Sequence, residues 1–315
     1  MKKFISCDWG TSTFRLRIID AATKKVLAET STAQGISATH ALWKEQISAD
    51  RIAFYSNVIL QQIKIVEKQI GYTTAGLTIV ISGMASSTVG MLELPYKAIP
   101  FHINKAELES HFISATDMFP HKIILISGVR SANDVMRGEE TILCGCGIKD
   151  LEEEQIFIFP GTHSKHLTVK NGMLKDIKTY MTGEVFNLLS SKSILAASVK
   201  PGEAAASNID SFIKGVQEAV GNNLLNSIFH VRTSQLFDIL NKQQNYHYLS
   251  GLLIGGELED LQQKNNISIT VVSSGVLSNL YLEALAALDL KKRCTMQNAD
   301  AALINGQIFI LNQYQ

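Results

Sequence analysis

At 315 residues, 46% hydrophobic and 18% charged, the chain is long enough for two ordinary cores and too apolar to read as disordered. Lysine plus arginine and aspartate plus glutamate number 29 each, so no excess charge draws it to nucleic acid or to an anionic membrane. Asp8 interrupts the apolar run behind Met1-Lys2-Lys3 before a signal-peptide core forms, and no uncharged apolar stretch reaches spanning length. Cys7, Cys144, Cys146 and Cys294 lack metal-pair spacing and read as reduced side chains of a cytoplasmic protein.

Residues 4–7 read as a buried strand that stops at Asp8-Trp9-Gly10-Thr11-Ser12 and doubles back through Phe14, Leu16 and Ile18. The turn collects one carboxylate, one glycine and several hydroxyls at a sheet end, where N–H groups and hydroxyls suit phosphate oxygens and the carboxylate suits hydrated Mg²⁺. A third strand is predicted over 26–30. Apolar residues recurring every three or four positions from Ile52 to Ile70 predict a helix starting near Ala49. Continuous apolar runs at 77–81 and 123–126, ending in Ser82-Gly83 and Ser127-Gly128, predict buried parallel strands. Residues 137–146 read as a helix.

The charged stretch 149–155 separates two predicted domains, 1–149 and 150–315. The second domain begins with the same pattern as the first: a strand over 156–159, the turn Pro160-Gly161-Thr162-His163-Ser164, a strand over 167–169, the hairpin signal Asn171-Gly172 and a third strand over 174–180. Helices are predicted at 186–195, 209–220, 234–240, 248–261, 277–288 and 299–311, and strands at 267–272 and 293–296. The last helix is expected to return to the first domain. Gly251, Gly255 and Gly256 come after no strand, so they are read as sites of close helix packing and not as a dinucleotide fingerprint. No Gly-Lys dipeptide occurs, which excludes a P-loop. Asn266-Ile267-Ser268 is read as a chance glycosylation sequon.

Two halves, each opening on a hydroxyl-rich turn, resemble the actin, sugar kinase and Hsp70 superfamily, in which two ribonuclease-H-like α/β domains flank a central cleft. In that pattern Asp8 to Ser12 is similar to the first phosphate motif, Pro160-Gly161-Thr162 to the second and Ser273-Ser274-Gly275-Val276 to the adenosine motif. Within the superfamily the chain resembles the 2-dehydro-3-deoxygalactonokinases. Ser82-Gly83-Met84-Ala85-Ser86-Ser87 with Leu94-Pro95-Tyr96, Val135 to Thr141, Gly161 to Lys165, Met181-Thr182-Gly183-Glu184 and Leu249 to Gly255 carry the likeness. His166 and Lys192 depart from it, standing where tryptophan and histidine are expected.

The resemblance implies ATP and Mg²⁺ as cofactors and a 2-keto-3-deoxy sugar acid as acceptor, phosphorylated on its terminal hydroxyl. Asp8 is then expected to hold Mg²⁺ through water. Gly10, Thr11, Ser12, Arg15, Gly161 and Thr162 are expected on the phosphates, with Ser274 and Gly275 at adenosine. Ser82, Gly83, Met84, Ser86, Ser87, Arg137, His163 and Lys165 are expected on the acceptor side, with Arg137 or Lys165 binding its carboxylate. Gly138-Glu139 resembles the Gly-Asp of related sugar kinases that carries the base, so Glu139 is expected to take the acceptor proton, with Glu140 in reserve; neighbours in sequence point in different directions, so one of the two is expected to face the site. A kinase for another sugar acid and a non-catalytic ATP-driven switch are the rival readings, and homodimerisation stays open.

Overall fold

The apolar runs become strands because each buries its side chains on a shared core. The structure is a computed structural model that describes residues 3–46, 50–105, 107–203, 205–264 and 267–314. The Met1-Lys2 opening, the predicted helix start at Ala49 and Asn266 of the sequon lie outside the described residues. The chain divides into two compact units. Unit 1 comprises Met1–Asp150, Asn171–Ile177 and Ala299–Gln315, and unit 2 comprises Leu151–Lys170 and Lys178–Asn298.

Unit 1 opens with an antiparallel meander, β1 (Lys3–Trp9), β2 (Phe14–Asp20) and β3 (Lys25–Thr32). Two helices come next, α1 (Ile36–Lys44) and α2 (Arg51–Ile70). Asp50 caps α2 by accepting the Ile52 N–H, and the helix buries Tyr55, Val58, Ile59, Ile63 and Val66. Then come β4 (Ile79–Gly83), β5 (Lys97–Ala98), β6 (Phe101–His102), β7 (Ser110–Ile113), β8 (Ile123–Ile126), β9 (Val129–Arg130), β10 (Val135–Met136) and α3 (Glu139–Cys144). The main sheet runs β3-β2-β1-β4-β8-β7, with β1, β4 and β8 parallel. β5, β9 and β10 make a small second sheet that the sequence pattern did not announce, each strand being two residues long.

The later elements are β11 (Gln155–Phe159), β12 (Ser164–Lys170), β13 (Met173–Tyr180), α4 (Thr182–Lys192), α5 (Ala206–Ala219), α6 (Leu224–Leu236), α7 (Lys242–Leu258), β14 (Ser268–Ser273), α8 (Val276–Ala287), β15 (Cys294–Asn298) and α9 (Ala299–Leu311). Strand order β13-β12-β11-β14-β15 repeats that of β3-β2-β1-β4-β8, again with the last three parallel. The doubled order, a meander extended by parallel strands, is the ribonuclease-H-like arrangement of the actin-like ATPase and sugar kinase fold.

In unit 2, α5 and α7 pack backbone to backbone. A Cβ on Gly251 would stand 2.0 Å from the Phe212 carbonyl oxygen and one on Gly255 2.6 Å from that of Val216, so these glycines serve close packing, as read from the sequence; Gly215, where a Cβ would stand 2.2 Å from the Tyr248 carbonyl oxygen, does the same from α5. The helix predicted at 234–240 is instead α6, which begins ten residues earlier. Asn223 caps it, its side chain accepting from the N–H groups of Leu225 and Asn226, and Asn241 opens α7 with a capping box to Gln244. Apolar side chains left exposed on α6, including Leu225 and Phe229, masked its periodicity in the sequence.

Candidate active site

In unit 1 the site grows from the C-terminal ends of β1 and β4, where Asp8 pairs with Ser82 and Trp9 with Gly83. Trp9 is fully buried and lies edge-on to Phe14, which anchors the strand just before its turn. The turn closes through Gly10 N–H to the Thr13 carbonyl, at 2.9 Å. It is tied to α1 by the Ile36 and Ser37 amides, which donate to the Gly10 and Thr11 carbonyls at 3.0 and 3.1 Å. The turn's carbonyls are therefore occupied from behind, while the side chains of Thr11, Ser12 and Thr13 stay exposed. Such a surface offers donors to an anion.

The Asp8 carboxylate makes no hydrogen bond to another described residue. Burial pushes its carboxyl up, against the opposing charges of Arg15 and Arg17. Among the described residues no group of three or more His, Cys, Asp or Glu could cage a metal directly. One desolvated carboxylate beside free hydroxyls fits a cation kept in its own water shell, the habit of Mg²⁺. Arg15, expected on the phosphates, donates to Asp300 of α9 at 2.5 Å, and the buried Arg17 shares Asp300 at 2.8 Å and also meets Glu29. Burial pushes the Asp300 carboxyl up, but the hydrogen bond and charge of Arg17, with Arg15, outweigh it and hold the group below its ordinary value.

Glycines bring α3 to the same place. Gly83 has φ of 91°, and a Cβ there would stand 2.7 Å from the Trp9 carbonyl oxygen; Gly138, φ 116°, lies against Gly83. The chain at Asp8-Trp9, Gly83 and Gly138 is thus stacked backbone on backbone, and Glu139 comes next as the first residue of α3. Glu139 is half-buried and accepts the Arg137 N–H at 3.2 Å. Glu140 is 1% exposed, and both its oxygens are engaged, by the Gly138 N–H at 2.7 Å and the Thr141 hydroxyl at 3.0 Å. Burial, with the neighbouring Glu139 charge, pushes its carboxyl up to about 7.

Ser82, Ser86 and Ser87 are buried with their hydroxyls in protein bonds. Ser82 accepts from Gln307 of α9 at 3.0 Å, Ser86 accepts from Arg137 at 2.6 Å, and Ser87 donates to the Met84 carbonyl at 2.7 Å. They shape the loop, leaving Gly83 and Met84 between them. The Arg137 guanidinium lies 4.1 Å over the Tyr96 ring and donates through Nη1 to Ser86, while its buried Nε has no partner among the described residues. Gln307, which the sequence reading missed, also donates to the Cys7 and Val80 carbonyls at 3.2 and 3.4 Å, and no local motif marked it.

In unit 2 the turn after β11 packs on the N-terminus of α4. The Glu184 N–H donates to the Thr162 carbonyl at 3.0 Å, and a Cβ on Gly183 would lie 2.7 Å from the Gly161 carbonyl oxygen. A cavity of about 490 Å³ opens beside this contact, lined by Gly161, Thr182 and Gly183 and by apolar groups including Phe186, Leu253 and Leu277. Two helix N-termini border it, those of α4 and α8, both favourable to negative charge. Ser274 and Gly275 precede α8 and are exposed, without lining the cavity themselves. Leu253 falls in the Leu249 to Gly255 string, whereas Phe186 and Tyr246 carried no signal as site residues because their helices show only ordinary apolar periodicity. His163 pairs with Glu184 at 2.5 Å and His166 with Glu257 at 2.9 Å, so the two histidines face different carboxylates and form no metal pair. Lys165 is buried on β12, and Lys192 is exposed at the end of α4.

The sequence model of the family described as 2-keto-3-deoxy-galactonokinase matches residues 8–310. The chain belongs to that family. It is 31% identical to the 2-dehydro-3-deoxygalactonokinase of Escherichia coli (strain K12) over 217 residues, 67% of this chain and 70% of that one. A Rhizobium meliloti (strain 1021) protein that carries the same name as a candidate assignment is 31% identical over 313 residues, 96% of this chain and 94% of its own. The crystal structure of a candidate 2-dehydro-3-deoxygalactonokinase from Sinorhizobium meliloti superposes with a TM-score of 0.81 at 27% identity, covering 98% of this chain and 96% of that one. As a 2-keto-3-deoxy-galactonokinase family member the chain is a carbohydrate kinase, built on the doubled sheet order of the actin-like ATPase and sugar kinase fold.

Proposed function

We propose that this kinase transfers the γ-phosphoryl group of ATP to the terminal hydroxyl of 2-dehydro-3-deoxy-D-galactonate, giving the 6-phosphate and ADP. The observation that carries the assignment of roles is the glycine-on-glycine contact of Gly83 and Gly138, which sets Glu139 beside the strand end that bears Asp8. Transfer forms a bond between the sugar oxygen and phosphorus, breaks the bond between phosphorus and the ADP oxygen, and leaves one hydroxyl proton to be taken up. Glu139 takes it, because it is the partly exposed member of the pair. Glu140 is enclosed, with both oxygens engaged, and supports the start of α3.

Arg137 is the better candidate for the substrate carboxylate. Its Nη1 is spent on Ser86, but the buried, unpartnered Nε presents the other edge of the guanidinium to an incoming acid. In unit 2 the cavity beside Gly161 takes the nucleotide, with Thr162 and the α4 N-terminus toward its phosphates. In unit 1 the exposed hydroxyls of Thr11 and Ser12 serve phosphate oxygens. Asp8 would hold Mg²⁺ through water, and the bound ion would supply neutralising charge at the donor phosphates. Arg15 keeps Nη1 on Asp300 and offers its remaining N–H groups to phosphate.

Turnover with a panel of sugar acids and neutral sugars tests the substrate, and failure to phosphorylate any 2-keto-3-deoxy acid would overturn it. Glu139→Gln should lower kcat by about a hundredfold or more with folding intact. Full activity in that variant would remove Glu139 from the role.

A further inference from the structure

Glu257, a second enclosed carboxylate, stands on α7 of unit 2, 3% exposed, and has no part in the chemistry assigned above. Three donors point at its two oxygens. His166 Nε2 reaches Oε1 at 2.9 Å, and the Tyr281 hydroxyl, at 2.8 Å, and the Thr182 hydroxyl reach Oε2. The carboxyl is therefore an acceptor throughout. Tyr281 has one proton and spends it on Glu257, so the 2.9 Å contact between Ser164 Oγ and the Tyr281 oxygen is donated by Ser164. Ser164 Oγ is then left to accept the Gly161 N–H, at 3.3 Å. A single directional chain runs from Gly161 through Ser164 and Tyr281 to Glu257, and His166 and Thr182 feed the same end.

The segments gathered are those that border the cavity. Gly161 belongs to the turn after β11, Ser164 and His166 to β12, Thr182 to the first turn of α4 and Tyr281 to α8, and Gly161, Thr182 and Tyr281 line the cavity wall. His166 is further fixed by the Tyr180 ring, 4.6 Å away between centroids. Burial, together with the charge of Glu257, holds the Tyr281 hydroxyl well above its ordinary value, which keeps it a donor. The turn and α4 touch through Gly183 with no room for a methyl group, so a small displacement of either is passed to the other.

We propose that Glu257 is a positioning residue for the nucleotide, holding the Gly161–Ser164 turn and the α4 N-terminus in the geometry that receives the donor's phosphates. The inference rests on the reading of the cavity as the nucleotide site. Glu257→Gln turns one acceptor oxygen into an NH₂ group facing a donor, a mismatch inside a closed network. The tests are steady-state kinetics with each substrate varied and thermal melting with and without ADP. Glu257→Gln should raise the KM for ATP and weaken ADP binding by about tenfold to a hundredfold, with the KM for the sugar acid within about twofold of wild type. Tyr281→Phe, which cuts the chain but keeps the ring, should move the same two quantities less, by about threefold to tenfold.

A merely structural Glu257 would lower the melting temperature and leave ADP affinity unchanged, and that result in a folded Glu257→Gln overturns the proposal. If Glu257→Gln fails to fold, wild-type ADP affinity in both Tyr281→Phe and Thr182→Val overturns it. Leu253→Trp, which fills the cavity, separates the two levels. ADP binding that survives Leu253→Trp removes the nucleotide reading and the proposal with it. Binding lost in Leu253→Trp but intact in Glu257→Gln and Tyr281→Phe removes the proposal alone.

Discussion

Replacing Glu140 by glutamine tests the division of labour between the paired glutamates. Glu140 is 1% exposed and its carboxyl is pushed up, by burial and then by the Glu139 charge, from 4.5 to about 7. The folded chain therefore holds that proton more tightly than the unfolded chain. Between pH about 4.5 and about 7 the native state binds the extra proton, so Glu140's contribution to stability falls as pH rises through that window and levels off above it. The span amounts to about 3 kcal/mol. Glutamine mimics the neutral acid: its oxygen accepts the Gly138 N–H and its NH₂ donates to a rotated Thr141 hydroxyl.

Glu140→Gln should then melt with wild type near pH 4 and above it near pH 8, by about 6 °C at roughly 2 °C per kcal/mol. Thermal melting of both proteins across that range isolates the effect, because every other titrating group is common to the two. Activity near neutral pH should persist. A melting difference independent of pH would refute the burial argument, and loss of turnover in Glu140→Gln with retention in Glu139→Gln would exchange the two roles.

Gly306→Ala would set a Cβ 1.8 Å from the Thr141 carbonyl oxygen, forcing α3 and α9 apart. It should cost about 2 kcal/mol or more and lower kcat with it; an unchanged melting curve would contradict the packing. Asp300→Ala leaves the buried Arg17 with Glu29 as its remaining carboxylate partner and should destabilise by about 1 kcal/mol by urea titration. Because the Asp300 carboxyl is held below its ordinary value, that difference should stand at neutral pH and shrink only as acid protonates the folded group. Arg137→Lys loses the Ser86 bonds and the Tyr96 stack, so it should raise the KM for the sugar acid about tenfold while the KM for ATP holds, as read from kinetics with each substrate varied.

Local order was legible in the amino-acid sequence because it depends on neighbours in the chain. Alternation in Phe14, Leu16 and Ile18 and the Asn171-Gly172 turn both act within a few residues. Repetition of that local order at Asp8 and at Gly161 was enough to indicate a doubled fold. That Glu140 is enclosed while Glu139 stays partly exposed was not available from spacing, since burial turns on what packs around the start of α3. The Arg15–Asp300 pair, Gln307 beneath Ser82 and the Glu257 network join residues 24 to 285 positions apart. Such contacts depend on packing of whole elements and leave no periodic or compositional trace. Sequence by itself determined the two repeated meanders, their turns and the buried parallel strands; the tertiary structure alone decided which carboxylates are buried and what each one holds.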